Sequence, residues 1–137
     1  MSASEFLDTN ILVYSYDVVD RRKQEIAKKL MARAFAGGSA ISTQVLGEFA
    51  STMLHRARPP VEPRDLAAML DILQPLRIVA TDAEMIRRAV EVRGRYGLHF
   101  YDSLIIAAAE RAGCTRVWSE DLNSGQEYFG VTVQNPF

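Results

Sequence analysis

The chain has a single cysteine, Cys114, in 137 residues, and one thiol can form neither an internal disulfide nor a thiolate zinc cage. Cys114 follows Ala-Gly at an expected helix end and has no well-placed histidine, so it is read as a structural thiol and not as a nucleophile. No stretch approaches the about 18 consecutive apolar residues of a membrane span. The opening MSASEF has neither the basic segment nor the apolar run of an export signal, which predicts a cytoplasmic protein. Neither G-x-G-x-x-G after a strand nor G-x-x-x-x-G-K-[ST] occurs, so the two common phosphate-cradling loops are missing. Internal repeats and low-complexity tracts are also absent.

Charge of one sign is scarce too, because the formal net charge is −1 and composition alone does not announce a nucleic-acid binder. Its distribution is uneven. Between residues 18 and 36, Arg21, Arg22, Lys23, Lys28, Lys29 and Arg33 face only Asp20 and Glu25, which suits either a solvated helix face or a phosphate-facing one. With 48% apolar and 24% charged residues, the composition is that of an ordinary globular protein. At this length residues 1–137 form one domain with a real core.

What is present begins with FLDTNILVY, residues 6 to 14, where Asp8 interrupts an apolar run. Burying an unpaired carboxylate costs several kcal/mol or neutralises it, roughly, so such an acid needs a partner, a cation or a task. SEFLDTN reads as a strand that delivers Asp8 to its carboxyl end, with Thr9 or Asn10 capping the helix that follows. Helical spacing runs from Val18 to Ala36 and stops at Gly37 and Gly38, and SAIS is a second strand. Thr43 then caps the helix TQVLGEFASTMLHRA. On it Glu48 lies about 60° from Val45 and about 100° from Phe49, at the rim of the apolar stripe.

Pro63 opens PRDLAAMLDIL and Pro75 closes it. RIVA is a third strand, and TDAE opens a long helix with the capping-box pattern of Thr81 and Glu84. The helix headed by Asp102, DSLIIAAAERAG, is apolar on nearly every side and should be the most buried. TRVWSED is a fourth strand with its exit loop, and VTVQNP a short fifth. Strands separated by helices, with no hairpin dipeptide between consecutive strands, predict an α/β domain with a parallel sheet of four to five strands covered on both faces.

In open parallel sheets functional groups gather beyond the carboxyl ends of the strands. Asp8 and Asp121 each close a predicted strand, Glu48 lies in the second turn of the helix after strand two, and Asp102 opens the helix before strand four. All four are expected on one edge, although 40, 54 and 19 residues separate them in order. Two unit charges at about 4 Å repel by roughly 4 kcal/mol at an effective dielectric near 20, so a dication or a proton has to relieve such a cluster. All-oxygen ligation selects Mg²⁺ or Mn²⁺, and a hydrated ion of this kind suits phosphodiester hydrolysis.

FLDTNILVY, QVLGEFAS, FYDSLIIAAA and WSEDLNSGQ with its closing GVTVQNPF, in that order, resemble the PIN domain, most closely its VapC-type toxin branch from prokaryotic toxin-antitoxin pairs. The resemblance covers nearly the whole chain. It implies a three-layer α/β/α fold and a Mg²⁺- or Mn²⁺-dependent endoribonuclease, with tRNA or another structured RNA as substrate. It also implies inhibition by a cognate antitoxin and a homodimer. Its acids fall on Asp8, Glu48, Asp102 and Asp121, accompanied by Thr9, Asn10, Ser103 and Ser119. A non-cleaving RNA- or protein-binding module on the same fold is the alternative, and its mark, a depleted acid set, is absent here.

Plain structural roles compete for several residues. Asp8 is also a good helix cap, and the helix dipole favours Asp102 near a helix start whatever else it does. His99 is expected to be structural, since the proposed chemistry needs no imidazole, and His55 suits a helix C-terminus. Trp118 is read as a core residue. Arg56 and Arg58 reach either RNA or solvent.

Overall fold

The computed structural model describes residues 4–137, so the first three residues of the opening segment read above lie outside it. β1 (Glu5–Leu7) is completely buried and stops at Asp8, whose backbone N–H still donates to the Trp118 carbonyl of the neighbouring strand at 3.1 Å. The Asp8 side chain then accepts the Thr9 N–H at 2.7 Å and caps α1 (Thr9–Tyr14). The cap is therefore the acid itself and not Thr9 or Asn10. A short carboxylate reaches the free N–H groups of the first turn without another residue's help.

Asp20 caps α2 (Arg21–Arg33), and a π-type turn at Ala34–Gly38 with Gly37 at φ 98° leads into β2 (Ser39–Ser42). The helix is shorter than its apolar spacing suggested because Val18 and Val19 stay outside it, both exposed. α3 (Thr43–His55) is capped by Ser42, which accepts the Val45 N–H, and α4 (Pro63–Leu73) begins with its proline at the first helical position. β3 (Arg77–Val79) precedes α5 (Ala83–Tyr96), whose cap is Asp82. Thr43 and Thr81, both expected as caps, bond to each other: the Thr43 hydroxyl accepts the Thr81 N–H at 3.1 Å. Each true cap lies one residue away, with its oxygen three positions before the N–H it accepts.

α6 (Phe100–Arg111) starts two residues before Asp102, and the His99 ring nitrogen Nδ1 accepts the Tyr101 N–H. From Ser103 to Ala109 every residue is buried, as expected for the apolar helix. β4 (Arg116–Trp118), β5 (Glu127–Tyr128) and β6 (Val131–Gln134) complete a six-stranded sheet in the order β3-β2-β1-β4-β6-β5. All pairings are parallel except β5 with β6.

That terminal hairpin escaped the sequence reading because its turn is Phe129-Gly130, with φ of 48° and 83°, where Asn-Gly or Asp-Gly would be the usual signal. Phe129 is held in its left-handed conformation by the Tyr96 hydroxyl, which accepts its N–H at 2.9 Å, and by the Arg88 guanidinium over its ring. The helices sort into two packed sets, α1 to α4 and α5 with α6. α6 also packs on β2, β4 and β6, which gives the three-layer architecture. Among the described residues no helix is long and apolar enough to cross a membrane.

Candidate metal and phosphodiester site

β1 and β4 are adjacent and parallel, with Leu7 opposite Trp118, so the residues that follow them leave the sheet side by side. Asp8 and Ser119 meet there. The Ser119 hydroxyl, fully buried, donates to Asp8 Oδ2 at 2.7 Å and accepts the Asp121 N–H at 3.1 Å. One hydroxyl thus holds the first acid and shapes the turn that carries the last. Asn10, in the first turn of α1, donates from Nδ2 to Asp121 Oδ2 at 3.1 Å and to Ser119 Oγ at 3.4 Å.

Thr9 ties in the second helix. Its hydroxyl donates to Glu48 Oε2 at 3.1 Å, while Gln44 Nε2 donates to Glu48 Oε1 at 2.6 Å and to the Tyr101 carbonyl at 3.0 Å. Of the residues expected to assist the acids, Thr9, Asn10 and Ser119 make these bonds. Ser103 is buried, and its hydroxyl instead donates to the Leu98 carbonyl at 3.4 Å. Gln44 went unnoticed in the sequence. One of its partners is a backbone carbonyl 57 residues away, for which no sequence signal exists.

The charges on this rim feel one another. Burial pushes the Asp8 carboxyl up to about 6, with the Asp121 and Glu48 carboxylates adding to the effect and the bonds from Ser119 and the Thr9 N–H opposing it. Asp102 is also raised, first by partial burial and then by Asp121, with a smaller contribution from Glu48 and an opposing one from His99. The four acids therefore share one electrostatic neighbourhood. A fifth acid, Glu120, faces away from it and accepts from Tyr14 at 2.5 Å and from Lys23 at 2.8 Å.

Lys23 belongs to the basic helix read from the sequence. Two more of its cations have intramolecular partners: Arg33 pairs with Glu5, and Arg22 bonds the Phe137 carbonyl. Trp118 is a core residue and Cys114 is buried, its thiol held up at about 11 by burial. The Arg58 guanidinium turns back onto the His55 and Ala57 carbonyls.

Among the described residues no three side chains of His, Cys, Asp or Glu converge closely enough to hold an ion by themselves. The donor chemistry still fits a hard, hydrated dication, because Mg²⁺ keeps several waters and takes only one or two carboxylates directly. Two amide oxygens at the same rim, Asn10 Oδ1 and Gln44 Oε1, are buried without a hydrogen-bond partner among the described residues. Their orientation is fixed by chemistry: in each amide the nitrogen faces a carboxylate, which only accepts. Oxygens placed in this way are suited to waters around a cation.

The PIN domain family model matches residues 6–124. No curated protein matches the chain in sequence. Among solved structures, a toxin-antitoxin complex from Klebsiella pneumoniae is similar with TM-score 0.71 and 22% identity, covering 98% of both chains. Mycobacterium tuberculosis VapC20, described as a sarcin-ricin loop cleaving toxin, is similar with TM-score 0.68 and 25% identity over 94% of this chain and 99% of that one. DNA-bound VapBC from Salmonella typhimurium gives TM-score 0.71 at 18% identity over 98% and 99%. The fold shared with these toxins and the family match across most of the sequence agree with the resemblance read from its four acid-bearing segments: the chain belongs to the PIN domain family.

Proposed function

We propose that this protein is a metal-dependent endoribonuclease and the toxin of a toxin-antitoxin pair. The observation that carries the reading is the buried Asp8 carboxyl, held by Ser119 and the Thr9 N–H and raised to about 6 beside two further acids. A carboxylate buried and raised in this way beside other acids is a common setting for a cation-binding or catalytic group. Asp8 and Asp102 are assigned as ligands of Mg²⁺ or Mn²⁺, and Glu48 and Asp121 as ligands either directly or through water. The ion, when bound, supplies a water of lowered pKa and charge compensation for the phosphoryl oxygens.

The chain's own groups do the rest. Ser119 keeps Asp8 oriented, Asn10 steers Asp121, and Thr9 with Gln44 fixes both oxygens of Glu48. Asp121, whose carboxylate is exposed, is assigned to take the water's proton as the water oxygen bonds to phosphorus and the bond to the leaving ribose oxygen breaks, that oxygen taking a proton from solvent. RNA cleavage is supported by family membership and by VapC20, a sarcin-ricin loop cleaving toxin. A cognate antitoxin as partner is supported by the toxin-antitoxin complexes among the similar structures. A homodimer working in the cytoplasm follows from the family resemblance.

The test is cleavage of labelled structured RNAs, tRNA included, with Mn²⁺ or Mg²⁺. Asp8→Asn and Asp102→Asn are expected to lower the rate at least about 100-fold with the fold intact by circular dichroism. Cleavage that persists in excess EDTA overturns the metal mechanism. RNA binding without cleavage across many substrates establishes the non-cleaving module instead.

A further inference from the structure

Among the described residues Gln44 is the one side chain that bonds both acid-bearing helices of the rim: Nε2 donates to Glu48 Oε1 in its own helix and to the Tyr101 carbonyl, next to Asp102, at the head of α6. The partly buried amide bridges α3 and α6 where no backbone ladder joins them. With Thr9 on the other oxygen, Glu48 is left a single orientation. The opposite atom of the amide, Oε1, is buried and unpartnered among the described residues. A buried acceptor is costly unless something donates to it, and a water is the donor that suits this position.

We infer that Gln44 is a positioning residue for the dication: it sets Glu48 against Asp102 and offers Oε1 to a water of the ion's hydration shell. The inference rests on the metal-dependent reading above and assigns to that site a residue outside its acids. Groups that orient metal ligands from behind commonly change metal affinity by about 10- to 100-fold when removed. Two nearby groups do not substitute for Gln44, because His99 Nδ1 is committed to the Tyr101 N–H and the Thr9 hydroxyl to Glu48.

Gln44→Met keeps the length of the side chain and removes both amide groups. Mn²⁺ titration of the RNA-free protein, read by calorimetry or by the electron paramagnetic resonance of free Mn²⁺, is expected to give a Kd at least about 10-fold weaker than wild type. The melting temperature without metal should stay within a few degrees. RNA cleavage should fall at limiting Mn²⁺ and recover at saturating Mn²⁺, which a loosened fold would not allow. Gln44→Ala is the second variant should Met pack badly, with the same expectation. A Kd within about twofold of wild type in both variants overturns the positioning role while leaving the nuclease reading intact. So does a weaker Kd accompanied by an equally large loss of metal-free stability. If wild type binds no Mn²⁺, the metal mechanism falls and this inference falls with it.

Discussion

Ser119 and Asp8, 111 residues apart in sequence, share a 2.7 Å hydrogen bond in which the buried hydroxyl donates to the buried carboxylate. The same oxygen accepts from the backbone of Asp121 and, at longer range, from Asn10. Ser119→Ala removes all three at once and leaves an ionised group buried with less compensation. A loss of about 1 to 3 kcal/mol is expected at pH 7, measured by urea unfolding. The loss should shrink below pH 6, where Asp8 takes up a proton and no longer needs the donor as an ion.

Asp8 makes the metal-free protein less stable as pH rises. Its carboxyl is raised from 3.8 to about 6 in the folded state, so the native form holds the proton more tightly than the unfolded chain does. Below about pH 3.8 both states are protonated and there is no penalty. Above about pH 6 both are ionised, and the penalty is complete at about 3 kcal/mol. Asp8→Asn should therefore stabilise the metal-free protein at pH 7 by up to about that amount while abolishing cleavage, since Asn still caps α1. Chemical denaturation of both proteins between pH 4 and 8 checks it. Parallel stability curves for the two proteins would contradict the buried-carboxylate account.

Cys114 lies in the turn between α6 and β4, buried, with its sulfur 3.2 Å from the Glu5 carbonyl. Burial raises its thiol to about 11, so the reactive thiolate is scarce at neutral pH. Ellman's reagent should label it only on the timescale of unfolding, and immediately in 6 M guanidinium, about one thiol per chain. Fast labelling of the native protein would put the sulfur in an accessible place and undo its assignment as a structural thiol.

Two of the acids stood out in the sequence because they interrupt an apolar pattern: Asp8 after a buried strand, Asp102 at the head of a helix buried from Ser103 to Ala109. Parallel order was legible from the helices between strands. Neighbouring hydroxyls and acids could not be told apart as caps. Ser42 and Thr43 are equally good candidates, and the choice falls to Ser42 because β2 pairs with β3 through that residue, Ser42 opposite Val79, so the helix starts only after it. The same shift by one puts Asp82 in place of Thr81. β5 is two residues long and its turn is Phe-Gly, too little pattern for any period to register. Gln44 was invisible for a different reason. Its role depends on a main-chain oxygen, and every residue in the chain has one.

A dication bound at Asp8, as proposed, would compete with the proton, which would give metal binding its own pH dependence. Wherever the Asp8 proton must leave for the ion to bind, apparent affinity weakens by up to tenfold for each pH unit below the carboxyl's pKa. With that value at about 6, the Mn²⁺ Kd should be nearly flat from pH 7 to 8 and weaken by about fivefold from pH 6 to 5. An ordinary carboxylate near 3.8 would show no change over that span. Asp102, also raised by burial and by Asp121, steepens the curve at its acid end. Calorimetric titrations in two buffers of different ionisation enthalpy count the protons released: a substantial fraction of a proton per Mn²⁺ at pH 6, falling towards none at pH 8. Proton release that is absent at pH 6 would mean that Asp8 already carries its charge in the metal-free protein. The cost of burying it would then have been met by Ser119 and the Thr9 N–H alone.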